Sequence, residues 1–225
     1  MKRWFVLLLL LFLNPNIVIA DGVLWIAPHP DDETTIAPLL ADYCIDQEKE
    51  CHFLLTTRGQ YATKCLLPEG CEPDIATIRE KELNQSVALF NAEINFLDIR
   101  YGNKERSYDE EFHSIFEDQI PIIAEKIESI SPELILVFNP QHGVTCHHEH
   151  LKTGSLVTDA VEQIGFPKEK LYYVDSAAMI KGTIKNTEWA GFAPFQSNND
   201  VEVIDSKNWD YTSKVIQIYR SSFES

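Results

Sequence analysis

Two short segments carry most of the chemistry available to this 225-residue chain. The first is Ala27-Pro28-His29-Pro30-Asp31-Asp32-Glu33. Two prolines stiffen a turn that presents one imidazole and two consecutive carboxylates. His29 and Asp32 are spaced to converge on one point at a helix start, with Asp31 free to address a neighbouring point. Catalytic zinc favours three N or O ligands and keeps a fourth position for water. A plain helix cap is the competing reading, but a cap needs one short acid and has no use for His-Pro before it or a second acid beside it. The second segment is Cys146-His147-His148-Glu149-His150, with Gly154 four residues on. His147 and His150 are three apart, so on the first turn of a helix they share a face. One can bind metal while the other reaches a substrate. Alone, such a patch also fits a solvated loop or an adventitious metal site.

The surrounding elements decide whether the two segments can meet. Residues 23–28 form an apolar run of strand length directly before the first segment, and 133–139 form another directly before the second. Further strands are expected at 51–57, 95–99, 171–175 and 201–205. Helices are expected at 33–44, 75–90, 110–129 (where Pro121 can kink the chain), 150–164 and 208–222. Strands alternating with helices, several apolar throughout, imply an α/β fold: a single Rossmann-like domain with a mostly parallel sheet flanked by helices. Ligands of such sheets bind beyond the carboxyl ends of the strands. Both histidine segments follow a strand and precede a helix, so both are expected at that edge.

The N-terminus reads as a secretory signal. Lys2 and Arg3 precede an unbroken apolar run from Phe5 to Leu13, and Val18-Ile19-Ala20 offers a cleavage site after Ala20. The run is about half the length of a membrane span. The expected organisation is a signal peptide at 1–20 and one domain at 21–225, exported to a periplasm or secreted. Cleavage removes two cations and no acid, taking the net charge from −16 to −18. That acidity disfavours nucleic acid and anionic lipid partners. In an oxidising compartment Cys44, Cys51, Cys65 and Cys71 can form disulfides, with three pairings open, and Cys146 is left over beside the histidines.

On these residues the sequence resembles the PIG-L/LmbE-like zinc-dependent de-N-acetylases. The Ala-x-His-Pro-Asp-Asp-Glu signature is matched at 27–33, and the His-x-x-His motif with its later glycine at His147, His150 and Gly154. Thr57-Arg58-Gly59, Arg79-Glu80-Lys81-Glu82-Leu83 and Tyr219-Arg220-Ser221-Ser222 are similar to further family segments. The family commonly reads His-Pro-Asp-His where this chain has His147-His148-Glu149-His150. Some members carry a tyrosine at the place of Thr145, so a tyrosine contribution is either absent here or supplied from elsewhere, with Tyr61 and Tyr101 as candidates.

The resemblance implies zinc held by His29, Asp32 and His150, with Fe²⁺ or Co²⁺ also suited to those ligands. It implies Asp31 as the general base and His147 as the group that stabilises the oxyanion or protonates the leaving amine. Glu149 would orient His147 from behind. Arg58 is a candidate for binding a sugar hydroxyl or phosphate, or else forms a surface ion pair. Trp189, Phe192 and Phe195 could stack on a sugar but fit packing better. The implied substrate is a small molecule or glycan bearing an N-acetylated amino sugar. An amidase for another amide conjugate, and a sugar- or metal-binding protein without turnover, are the alternatives. A base beside the ligands argues against the last.

Overall fold

Strand β1 (Gly22–Ala27) is buried along its whole length, which the alternation of its side chains explains. Val23, Trp25 and Ala27 enter one apolar cluster, whereas Leu24 and Ile26 enter a second on the other face. A strand covered on both sides has no reason to carry polar residues, hence its continuous apolar run. The computed structural model describes residues 22–71, 74–100, 110–141, 143–174 and 206–223, apart from the side chains of residues 110–113, 145 and 146. The expected signal peptide, the strand at 201–205, Tyr101 and the aromatic residues at 189–195 lie outside these, as does the side chain of Cys146.

Five strands form one sheet: β1, β2 (Glu50–Leu55), β3 (Glu93–Phe96), β4 (Leu134–Phe138) and β5 (Leu171–Val174). Their order is β3-β2-β1-β4-β5, and every pairing is parallel. The chain therefore winds outward from β1 to β2 and β3, then returns to the other side of β1 for β4 and β5. The crevice at that reversal opens between the carboxyl ends of β1 and β4.

The helices differ from expectation mainly at their ends. The stretch expected as one helix from residue 33 is a 3-10 turn (Asp32–Thr35), a short helix α1 (Ala37–Ala41) and a widened turn (Asp42–Asp46). Cys44 in that last turn is bonded to Cys51 at the start of β2. Helix α2 (Ile75–Ala88) begins with Asp74 accepting the amide hydrogen of Ala76. The helix expected to kink at Pro121 is two helices, α3 (Glu110–Glu117) and α4 (Ile120–Ile130). Proline in the first turn of α4 has no helical hydrogen bond to lose, so the chain breaks there rather than bends. After a single turn, α5 (Gly143–Cys146), comes α6 (His148–Ile164), which Gly165 ends in the left-handed region, and last α7 (Asp210–Ile218). No helix among the described residues is long and apolar enough to cross a membrane.

Candidate active site

Where β1 ends, the Pro28 carbonyl accepts hydrogen bonds from the Thr57 amide at 3.0 Å and the Thr57 hydroxyl at 2.8 Å. The chain beyond β2 thus fixes where the first histidine segment leaves the sheet. Asp31 has φ 104°, in the left-handed region. Such backbone costs a non-glycine residue about 1–3 kcal/mol and persists only where its surroundings over-determine it. Here they do. The Asp31 amide donates to Glu33 Oε2 at 3.3 Å. Its carbonyl accepts from the amide of Thr34 at 3.1 Å and the hydroxyl of Thr34 at 2.7 Å. Glu33 is wholly buried, and burial pushes its carboxyl up to about 7, with hydroxyls of Ser86 and Tyr219 pulling the other way.

The second segment depends on two glycines. Gly143 has a positive φ, and a Cβ there would sit 2.8 Å from that of His150. Its carbonyl accepts from His150 Nδ1 at 2.8 Å, while Phe138, the last residue of β4, stacks on the imidazole with centroids 4.2 Å apart. Gly154 lies against the end of β4, where a Cβ would meet the Phe138 carbonyl oxygen at 2.4 Å. This close approach explains the glycine four residues after His150. His147 caps α6: its Nδ1 accepts the Glu149 amide hydrogen at 3.3 Å.

At the crevice the segments meet. Asp32 Oδ2 accepts the His29 amide hydrogen at 2.8 Å and lies 3.3 Å from His29 Nδ1, and its Oδ1 is 3.0 Å from His150 Nε2. The other nitrogen of His29, Nε2, bonds to Glu149 Oε2. Glu149 thus spends its carboxylate chiefly on His29, its Oε2 being 3.6 Å from His147 Nδ1, and meets His147 through its backbone amide. One ring nitrogen each from His29, His147 and His150 lies within 4.8 Å of the others.

Donor chemistry and second partners both fit a divalent cation here. The Gly143 carbonyl holds a proton on His150 Nδ1 and leaves Nε2 as the lone-pair nitrogen beside Asp32. Glu149 does the same for His29, leaving Nδ1 beside the same carboxylate. A metal-binding imidazole is oriented through its other nitrogen in this way. His147 differs. A neutral ring whose Nδ1 accepts an amide hydrogen carries its proton on Nε2, so it offers a donor. The electrostatics agree that the pocket awaits positive charge. Burial opposes charging His29, yet Glu149 and Asp32 together push it up to about 10. Burial likewise opposes ionising Asp32, yet His150 and His29 hold it well below the usual carboxylate range. Burial and the charge of Asp32 raise Asp31, with Arg79 pulling it down.

The residues open onto a cleft of about 500 Å³, lined also by Thr34, Thr57, Tyr61, Lys64, Arg79 and Phe223. Arg58 is not among its walls. The Arg58 guanidinium lies 4.2 Å from the Phe96 ring centroid, donates to Asp98 at 3.1 Å and pairs with Glu80. The arginine at the site is Arg79, whose Nη1 is 3.5 Å from Asp31 Oδ2. Gly59 makes room for it, since a Cβ there would touch the Arg79 side chain at 3.0 Å. The sequence points to Arg58, between Thr57 and Gly59, and carries no local sign that helix α2 brings Arg79 to the site instead. Nothing in the sequence marked Phe223.

Residues 24–161 match the family described as GlcNAc-PI de-N-acetylase, PIG-L. A relative from Bacillus cereus, a probable N-acetyl-alpha-D-glucosaminyl L-malate deacetylase 2, is 30% identical over 199 residues, covering 82% of this chain and 78% of its own. Among solved structures, N,N'-diacetylchitobiose deacetylase from Pyrococcus horikoshii is similar with a TM-score of 0.60 at 21% identity, covering 92% of this chain and 72% of that one. GalB, the 4-carboxy-2-hydroxymuconate hydratase from Pseudomonas putida, is similar with a TM-score of 0.61 at 17% identity, covering 88% and 78%. A deacetylase and a hydratase share this fold, so the reaction must be argued from the site.

Proposed function

Since the chain belongs to the PIG-L (GlcNAc-PI de-N-acetylase) family, we propose that it hydrolyses the N-acetyl group of an amino sugar or glycoconjugate, using a zinc ion held by His29, Asp32 and His150. The observation that carries this reading is the convergence of those three side chains, with the half-buried carboxylate of Asp31 beside them on strained backbone. The ion, when bound, supplies Lewis acidity and lowers the pKa of water to about 7. Asp31 accepts the proton of the attacking water. Its raised proton affinity suits a base, which works best near the ambient pH. His147 faces the cleft as an N–H donor and stabilises charge developing on the carbonyl oxygen. As the C–N bond breaks, the proton reaches the departing nitrogen, giving acetate and a free amine.

Thr57, Tyr61 and Lys64 line the cleft where polar groups suit a sugar. We place the reaction outside the cytoplasm: two disulfides, Cys44–Cys51 and Cys65–Cys71, together with the leader-like N-terminus, support export. Purified protein incubated with N-acetylated sugars should release acetate, lose that activity to a chelator and regain it with zinc. A blank across the panel with metal bound overturns the proposed substrate class. Asp31→Ala should retain its metal and lose about 10²–10⁴-fold in kcat; full turnover would remove Asp31 as the base.

A further inference from the structure

Glu33 is not among the residues that line the cleft. It is 0% exposed. A buried carboxylate without an adjacent cation costs free energy unless donors surround it. Two of its donors come from distant parts of the chain and the third from two residues before it. The Ser86 hydroxyl, on α2, reaches Oε1 at 2.5 Å, and the Tyr219 hydroxyl, at the end of α7, reaches the same oxygen at 2.6 Å. Oε2 faces the amide of Asp31 at 3.3 Å. That amide belongs to the one residue of the segment whose backbone is left-handed. Two helices on the same face of the sheet are thus joined, through one carboxylate, to the backbone of the base.

We infer that Glu33 is a positioning residue for Asp31, held by Ser86 and Tyr219 so that the base keeps its left-handed backbone beside the metal site. This rests on the reading of Asp31 as the base. The Tyr219 contact spans 186 residues of sequence, so the position of the base depends on the docking of α7. Neighbouring contacts reinforce that docking: the Ser221 amide and hydroxyl both donate to the buried carboxylate of Glu82 on α2.

The test is a kinetic comparison of metal-loaded variants on whichever N-acetylated sugar the wild type cleaves. Displacement of a catalytic group by about 1 Å can cost about 10²-fold. Glu33→Ala should therefore lower kcat by about that factor with KM and metal content near wild type. Glu33→Gln, which keeps an acceptor for the Asp31 amide and an amide that rotating hydroxyls can accept, should recover most of it. Tyr219→Phe and Ser86→Ala remove one donor each without opening a large hole, and each should lower kcat while leaving KM unchanged. In an Asp31→Ala background, Glu33→Ala and Tyr219→Phe should cause no further loss of the residual rate. Equal losses with and without Asp31 would show that Glu33 acts independently, and unchanged kcat in both Tyr219→Phe and Glu33→Ala would show that it does not act at all. Either result overturns the inference while leaving the base reading intact. An Asp31→Ala enzyme with full turnover would instead remove the base reading, and this inference with it.

Discussion

His150 shows how a single side chain is prepared for its task. The Gly143 carbonyl takes one ring nitrogen, Phe138 covers one face of the ring, and the other nitrogen points at Asp32. His150→Ala should accordingly lower metal content towards zero in elemental analysis, whereas His147→Ala should keep the metal and lose turnover. Metal loss in the His147 variant would make that imidazole a ligand instead. The two arginines separate in a similar way. Arg58→Ala should cost about 1 kcal/mol in urea unfolding, as expected for a partly exposed ion pair lying over an aromatic ring, and leave kcat within a few-fold. Arg79→Ala should lower kcat/KM by more than tenfold because it removes the cation 3.5 Å from the Asp31 carboxylate. At this scale the sequence was legible where chemistry is local. Residue types in the two histidine segments were enough to nominate the residues that meet. Arg79 was illegible because its relevance depends on how α2 lies across the loop after β2, a tertiary fact with no local signature.

Elements add constraints that single residues do not show. Gly154 sits where α6 crosses the end of β4 with no room for a methyl group. Gly154→Ala should destabilise the protein by about 2–3 kcal/mol in urea unfolding, an overpacking cost, and should weaken metal binding because His150 rides on the same helix. Unchanged metal affinity would mean that α6 yields without moving its first turn. Strand positions were readable from continuous apolar runs, as at 23–28 and 133–139, since both faces of a central parallel strand are buried. Helix ends were not. The break between α3 and α4 and the broken first helix depend on proline placement and on the Cys44–Cys51 bridge, which periodicity cannot weigh.

For the whole molecule, strand order matters most. Placing β1 beside β4 brings residues 29–32 to within bonding reach of residues 149–150 across more than half the sequence. A cation bound there joins both halves of the sheet, so metal should stabilise the fold. At an ion concentration 100 times its Kd the gain is about 2.7 kcal/mol, or about 5–10 °C in Tm, and a chelator should remove it in a thermal melt. The two disulfides close short loops and should each contribute about 2 kcal/mol, measurable in the paired serine variants. Only loss of Cys65–Cys71 should also raise KM, because Tyr61 and Lys64 on the cleft wall immediately precede that bridge. The same bridge has a consequence for survival under proteolysis. Leu66 to Gly70 forms an exposed tip between its two sulfurs. A peptide bond cut there leaves both fragments tethered, so a clipped protein should migrate as one band until a reductant separates it, and should still be active.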